Sequence, residues 1–113
     1  MKNIITYLDF EKIDIRVGTI INAEINTLLR NQSIVLKIDF GNKVGIKKSS
    51  AQLIKNYNPE KLLQKQVIAV INFDSKQIGN LISEVLVLGF PDDNDEPVLV
   101  CPDRKIANGK KLY

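Results

Sequence analysis

The chain has 113 residues, 44% of them hydrophobic and 26% charged, the proportions of an ordinary folded domain and not of a disordered or collagen-like chain. A single cysteine, Cys101, and the absence of histidine exclude an internal disulfide, zinc sites, His-based triads and Cys-His nucleophiles. The longest uncharged stretch, Gln66 to Phe73, falls far short of the roughly 20 apolar residues that span a bilayer, and no signal-peptide pattern follows Met1, so the expectation is a cytoplasmic protein with no membrane insertion.

In chain order, Asp9 reads as the N-cap of a short helical turn through Phe10 and Ile13, leading into a β-rich run from Asp14 to Ile25. Ser33 to Phe40 is the clearest strand: Ile34, Leu36, Ile38 and Phe40 alternate with Val35, Lys37 and Asp39, a period of two that buries the first set. Gly41-Asn42 reads as a tight hairpin turn, returning Lys43 to Lys48 antiparallel to that strand. Ser50 is a candidate cap for a short helix containing Leu53 and Ile54, and Asn58-Pro59 opens a further turn around Leu62 and Leu63. Gln66 to Phe73 and Glu84 to Phe90 are apolar almost throughout, as strands buried on both faces are, and Pro97 to Cys101 offers one more. No repeat, low-complexity tract or Gly/Ser linker marks an internal boundary, so the whole of 1–113 reads as one domain. Five or six short strands with a small helix between the third and fourth describe an all-β fold with short helices, an OB-like five-stranded Greek-key barrel.

Charge is distributed in blocks. Residues 1–29 carry −1, residues 30–76 carry +6, residues 77–103 carry −6 and the last ten carry +4. Gathered on one face, the middle block would attract anions; dispersed, it would be an ordinary mixed surface. The acidic run Asp92 to Glu96 lacks the spacing and glycine of an EF-hand loop and reads as a solvated turn, while Cys101 reads as a small core residue.

The order of residues adds to this. Asp9-Phe10-Glu11-Lys12-Ile13-Asp14-Ile15-Arg16-Val17-Gly18-Thr19-Ile20, then Ile38-Asp39-Phe40-Gly41, Gly45-Ile46-Lys47-Lys48-Ser49-Ser50-Ala51-Gln52, Lys65 to Phe73, Ser83-Glu84-Val85-Leu86-Val87-Leu88-Gly89, Pro102-Asp103 and Asn108-Gly109 together resemble the tRNA-binding domain family, and within it the stand-alone CsaA branch. The resemblance runs from residue 9 to residue 112. It implies an OB-fold barrel over about 14–101 with terminal extensions that dimerise, Phe10, Ile13, Ile106 and Leu112 being the interface candidates. It implies a non-catalytic protein with no cofactor and no metal, a chaperone that assists protein export by binding unfolded preproteins and that keeps a tRNA-binding capacity on the barrel face. The expected partners are tRNA, unfolded preproteins, the export machinery and a second copy of the chain; the alternative is a dedicated structured-RNA protein that binds tRNA in trans. The chain departs from the family between Asn72 and Ser83: Asp74-Ser75-Lys76-Gln77 stands where relatives tend toward Pro and Arg, Asn80 where they have Gly, Ile82 where CsaA-like chains can carry Lys, and Leu86 replaces a common Met. The basic loop is thinned accordingly.

Site candidates follow. Arg30 lies in the loop joining the first two strands, which lines the ligand face of OB folds. Lys47 and Lys48, adjacent on a strand, point to opposite sides, so one of them meets the ligand. Ser49 and Gln52 supply hydroxyl and amide groups beside them. Asn72, Lys76, Ser83 and Glu84 flank the mouth of the groove in the family reading, and a polar Asn after an apolar strand needs a partner or exposure. Arg16 is a partner for Asp14 or a ligand contact, and Gly18 sits where a side chain would clash. A hydrolase built on Ser49 and Lys47 lacks a second catalytic group.

Overall fold

The computed structural model describes residues 1–27 and 32–113. The elements are α1 (Tyr7–Glu11), β1 (Ile15–Asn26), β2 (Ser33–Asp39), α2 (Gly41–Val44), β3 (Ile46–Ala51), α3 (Pro59–Leu62), β4 (Gln66–Val70), β5 (Lys76–Ile78), β6 (Leu81–Ser83), β7 (Leu86–Val87), β8 (Gly89–Pro91) and β9 (Pro97–Leu99). Five strands form one antiparallel sheet in the order β3-β2-β1-β4-β7, curled into a half-barrel of OB type; β5-β6 and β8-β9 are separate two-stranded ladders. The curl follows from β1. Its first part pairs with β4 from Ile15 to Thr19 and its second with β2 from Thr19 to Asn26, with a register shift between Ile20 and Asn22 where the strand bends.

The alternation in β2 is the source of the core. Ile34, Leu36, Ile38 and Phe40 are all buried and pack with Ile20, Leu53, Leu62, Val67, Ala69 and Val85. Gly18 makes room for them: a Cβ there would sit 2.6 Å from Ile38 Cγ2 and 2.7 Å from Phe40 Cδ1. Pro59 starts α3 after the Asn58 cap, whose side chain accepts from Glu60 N–H, and Leu62 is buried in the core.

Several local expectations are corrected. Thr6, not Asp9, caps α1: the Thr6 hydroxyl accepts from Asp9 N–H at 3.3 Å while the Asp9 carboxylate accepts from Thr6 N–H at 3.2 Å, a reciprocal box in which Asp9 is the third helical residue. The β2-β3 connection is a full helical turn, α2, and not a two-residue hairpin; Gly41 enters it with φ of +86° and Phe40 N–H reaches across to the Gly45 carbonyl. Ser50 lies inside β3, bonded to the Ser33 hydroxyl, so it caps no helix; Leu53 instead opens a turn that accepts from Asn56 and Tyr57 N–H. The run from Glu84 to Phe90 is not one buried strand. At Leu88 the chain stops pairing with β4 and turns to β9, Leu88 giving its N–H to the Ile68 carbonyl and its own carbonyl to Val100, and Leu86 and Phe90 are left exposed. The strand beginning at Gln66 ends at Val70, so Asn72 lies outside it. Cys101 is exposed, beyond the last core-facing residue of that segment.

The C-terminal tail completes β1. Gly109 N–H donates to the Val17 carbonyl, Val17 N–H to Lys110 and Leu112 N–H to Ile15, and the Gln66 side-chain amide bonds both ways with the Ile106 peptide.

Candidate functional site

The margin of β3 and the chain from Phe73 to Val87 enclose a groove of about 530 Å³. The ladder register explains its floor. Because Leu36 and Ile38 face the core, their partners on β3, Ser49 and Lys47, turn inward too, and Lys48, opposite Lys37, turns outward with Ser50. Ser49 is buried and its hydroxyl donates to the Val85 carbonyl at 3.2 Å. Two more side chains stitch the seam: Ser83 Oγ accepts from Ser50 N–H at 3.1 Å, and Glu84 Oε1 accepts from Lys48 N–H at 3.0 Å. The walls are apolar. Phe73 is 57% exposed and Leu86 50%, with Ile78, Val85 and Val87 alongside, while Asp74, Lys76 and Glu84 provide the ionisable groups.

Of the residues expected at a site, the groove brings together Ser49, Lys76, Ser83 and Glu84. Lys76 lies directly opposite Ser83 on the β5-β6 ladder. Lys47 is half-buried opposite Ile38, Lys48 lies outward beside the groove, and Gln52 is exposed past the end of β3; none of the three lines it. Asn72 is occupied elsewhere: its carbonyl accepts from Asp14 N–H at 2.9 Å and its amide donates to the Lys12 carbonyl at 2.8 Å, tying the end of β4 to the entry of β1. Arg30 falls outside the described residues. Arg16 is a structural partner, its Nε donating to Asp14 at 2.6 Å and its Nη1 to the Gly109 carbonyl at 3.0 Å; the Asp14 hydrogen bond raises the Arg16 pKa further above its already high value.

Sequence reasoning missed the groove's apolar walls. Phe73 was available as an aromatic next to the polar break at Asn72, and Leu86 as a large apolar side chain after Ser-Glu, but a continuous apolar run reads as core. It also missed Lys37. The register sets Lys37 directly against Lys48 on the outer face, with Asn22 beyond, and among the described residues neither lysine makes an ion pair. Like charges in that position destabilise a sheet unless something neutralises them.

Of the interface candidates, Phe10, Ile13 and Leu112 meet around a second hollow of about 230 Å³ with Tyr7 and Tyr113, while Ile106 lies apart, on Gln66. The run Asp92 to Glu96 forms the β8-β9 turn, Asp92 Oδ1 accepting from Asn94 and Glu96 N–H. Among the described residues no group of three or more side chains converges as a metal site, and no helix is long and apolar enough to cross a membrane.

A curled five-stranded antiparallel sheet places the chain among OB-type folds, and the comparisons identify the family. The tRNA binding domain profile matches residues 15–111, and the chain belongs to that family. It is similar to the chaperone CsaA of Bacillus anthracis (42% identity, TM-score 0.90, covering 98% of this chain and 100% of that one) and to the CsaA chaperone protein of Picrophilus torridus (46%, TM-score 0.88, covering 97% and 100%). It is also 34% identical over 109 residues to the methionine–tRNA ligase of Nanoarchaeum equitans, where the match takes in 96% of this chain and 14% of the ligase. The chain therefore spans about a seventh of the length of the curated relatives it matches.

Proposed function

We propose that this is a CsaA-like, non-catalytic binding protein: a chaperone that holds unfolded preproteins for export and retains a tRNA-binding capacity, acting in the cytoplasm as a homodimer. The observation that carries this reading is the groove beside β3, whose exposed Phe73 and Leu86 suit apolar side chains of an extended polypeptide better than a polyanion. Its two carboxylates, Asp74 and Glu84, against the single ammonium of Lys76 disfavour phosphate in the groove itself. The full-length similarity to two proteins described as CsaA chaperones supports the same role.

A second reading, a dedicated tRNA-binding protein, is favoured by the unneutralised Lys37-Lys48 pair on the outer face of β2 and β3, the face OB folds use for oligonucleotides. One experiment separates the two: binding of bulk tRNA and, in parallel, of an unfolded preprotein segment, each titrated from 50 to roughly 300 mM salt. Salt-insensitive polypeptide binding with weak tRNA binding is the outcome expected of the chaperone; tight, steeply salt-dependent tRNA binding with little affinity for polypeptide overturns it. Replacing Lys37 and Lys48 with Ala then lowers the tRNA salt slope by about 1 to 2, one phosphate contact for each lysine engaged.

A further inference from the structure

β3 is one margin of the five-stranded sheet. On its open side the two amides that point away from β2 meet side chains where a neighbouring strand would offer carbonyls: Lys48 N–H donates to Glu84 Oε1 and Ser50 N–H to Ser83 Oγ. One main-chain bond, Glu84 N–H to the Lys48 carbonyl at 2.8 Å, runs between them. A sheet margin left bare is a template for another chain, and this one is covered by the segment from Ser83 to Val85, which is not a regular paired strand and holds β3 through one main-chain bond and through side chains. Ser83 and Glu84 also line the apolar groove.

We infer that this cover is displaceable, and that an extended polypeptide in the groove takes its place by strand addition to β3, its carbonyls accepting the Lys48 and Ser50 N–H groups. The inference rests on the polypeptide reading above and specifies how that site recognises its ligand. The two amides are two residues apart, about 6.8 Å along the strand, which is the spacing of successive carbonyls on one edge of an extended chain. The added strand replaces the two acceptors and the Glu84 N–H one for one, and the cost of the exchange is the Ser49–Val85 bond and the withdrawal of Val85 from the edge of the core. Ser83 belongs to the β5-β6 ladder, which is separate from the five-stranded sheet and joins it through Glu84 and Val85 to β7. Every second side chain of the added strand then faces Phe73 and Leu86. The excess of carboxylate over ammonium in the groove fits an uncharged or cationic chain and repels a phosphodiester, so the occupant is polypeptide and not RNA. Main-chain recognition of this kind is nearly independent of sequence, as binding many unfolded chains requires.

The test uses the full chain and an eight-residue peptide of alternating Val and Thr with terminal lysines, compared with two isomers N-methylated at every second residue, one for each edge. Methylation of the edge facing β3 is expected to weaken binding at least tenfold and methylation of the other edge to leave it within about twofold, with the Lys48 and Ser50 amide resonances shifting on binding. Equal affinities of the two isomers, whether both are retained or both lost, overturn strand addition. Failure of the unmethylated peptide to bind overturns the polypeptide reading itself. Ser83→Ala, which removes one competing acceptor, is expected to tighten binding about two- to tenfold, the worth of one hydrogen bond; unchanged or weaker binding counts against displacement.

Discussion

At Gly18 the constraint is steric: β1 crosses Phe40 and Ile38 so closely that even a methyl group overlaps both side chains. Gly18→Ala is expected to cost about 1–3 kcal/mol, the range for overpacking a filled core, and to lower the urea midpoint without changing the slope. Asn72 carries a different lesson. Its place after an apolar strand correctly signals that the amide needs partners, but sequence alone cannot name them, because they are backbone groups of Lys12 and Asp14, far off along the chain. Asn72→Ala therefore loses stability, about 1 kcal/mol for bonds at an exposed site, and exposes the Asp14 amide to faster hydrogen exchange, while polypeptide and tRNA affinities stay within twofold. A tenfold loss of either affinity with an unchanged fold would return Asn72 to the binding site. Arg16 was legible for the opposite reason: its partner, Asp14, is two residues away on the same strand entry.

Among the elements, those that bury one face were readable and those that merely border others were not. β2 announces itself because Ile34, Leu36, Ile38 and the following Phe40 alternate with Val35, Lys37 and Asp39, and α3 because Asn58-Pro59 supplies both cap and start. The ladder β5-β6, three residues a side and mostly exposed, has no such pattern, and the corner at Leu88 is set by which strand accepts its hydrogen bonds, a tertiary fact. The β8-β9 turn gives a pH prediction. The Asp92 carboxylate accepts first from the Asn56 side chain and then from Glu96 and Asn94 N–H, which together hold its pKa below the ordinary 3.8. A group whose folded pKa is depressed contributes stability in full above its unfolded value and loses it as pH falls through the folded one. Local hydrogen-exchange protection at Asn94 and Glu96 should accordingly be constant above about pH 5 and decline below 3.8, with a carboxyl carbon titration midpoint for Asp92 under that value. In Asp92→Ala the same amides should show no such acid-dependent step.

For the whole molecule, the charge blocks of the sequence do not map onto single faces. Lys37 and Lys48 share the outer sheet surface, Lys47 lies on the opposite face of β3, Lys76 enters the groove, and Lys65 joins Arg104 and Lys105 at another cleft of about 520 Å³ by the C-terminal tail. The sheet register, which decides all of this, is not encoded in local charge. The termini are another matter. α1 has no buried residue although its N-terminus is fully capped, and Ile4, Ile5, Tyr7 and Leu8 are exposed next to a tail that ends in exposed Leu112 and Tyr113. We propose that this capped helix, with its apolar side chains in water and a hollow between it and the tail, is one half of the dimer interface expected from Phe10, Ile13 and Leu112. Ile106 is pinned at its peptide by Gln66, which leaves its side chain 39% exposed. Sedimentation velocity at micromolar concentration should then show a dimer for the unaltered chain and a monomer for Tyr7→Asp combined with Leu112→Asp. Thermal stability should fall only by the share dimerisation contributes, because the Gln66-Ile106 and Arg16-Gly109 bonds that hold the tail to its own barrel remain. A monomeric unaltered chain, or a doubly substituted chain that still sediments as a dimer, would place the association surface elsewhere.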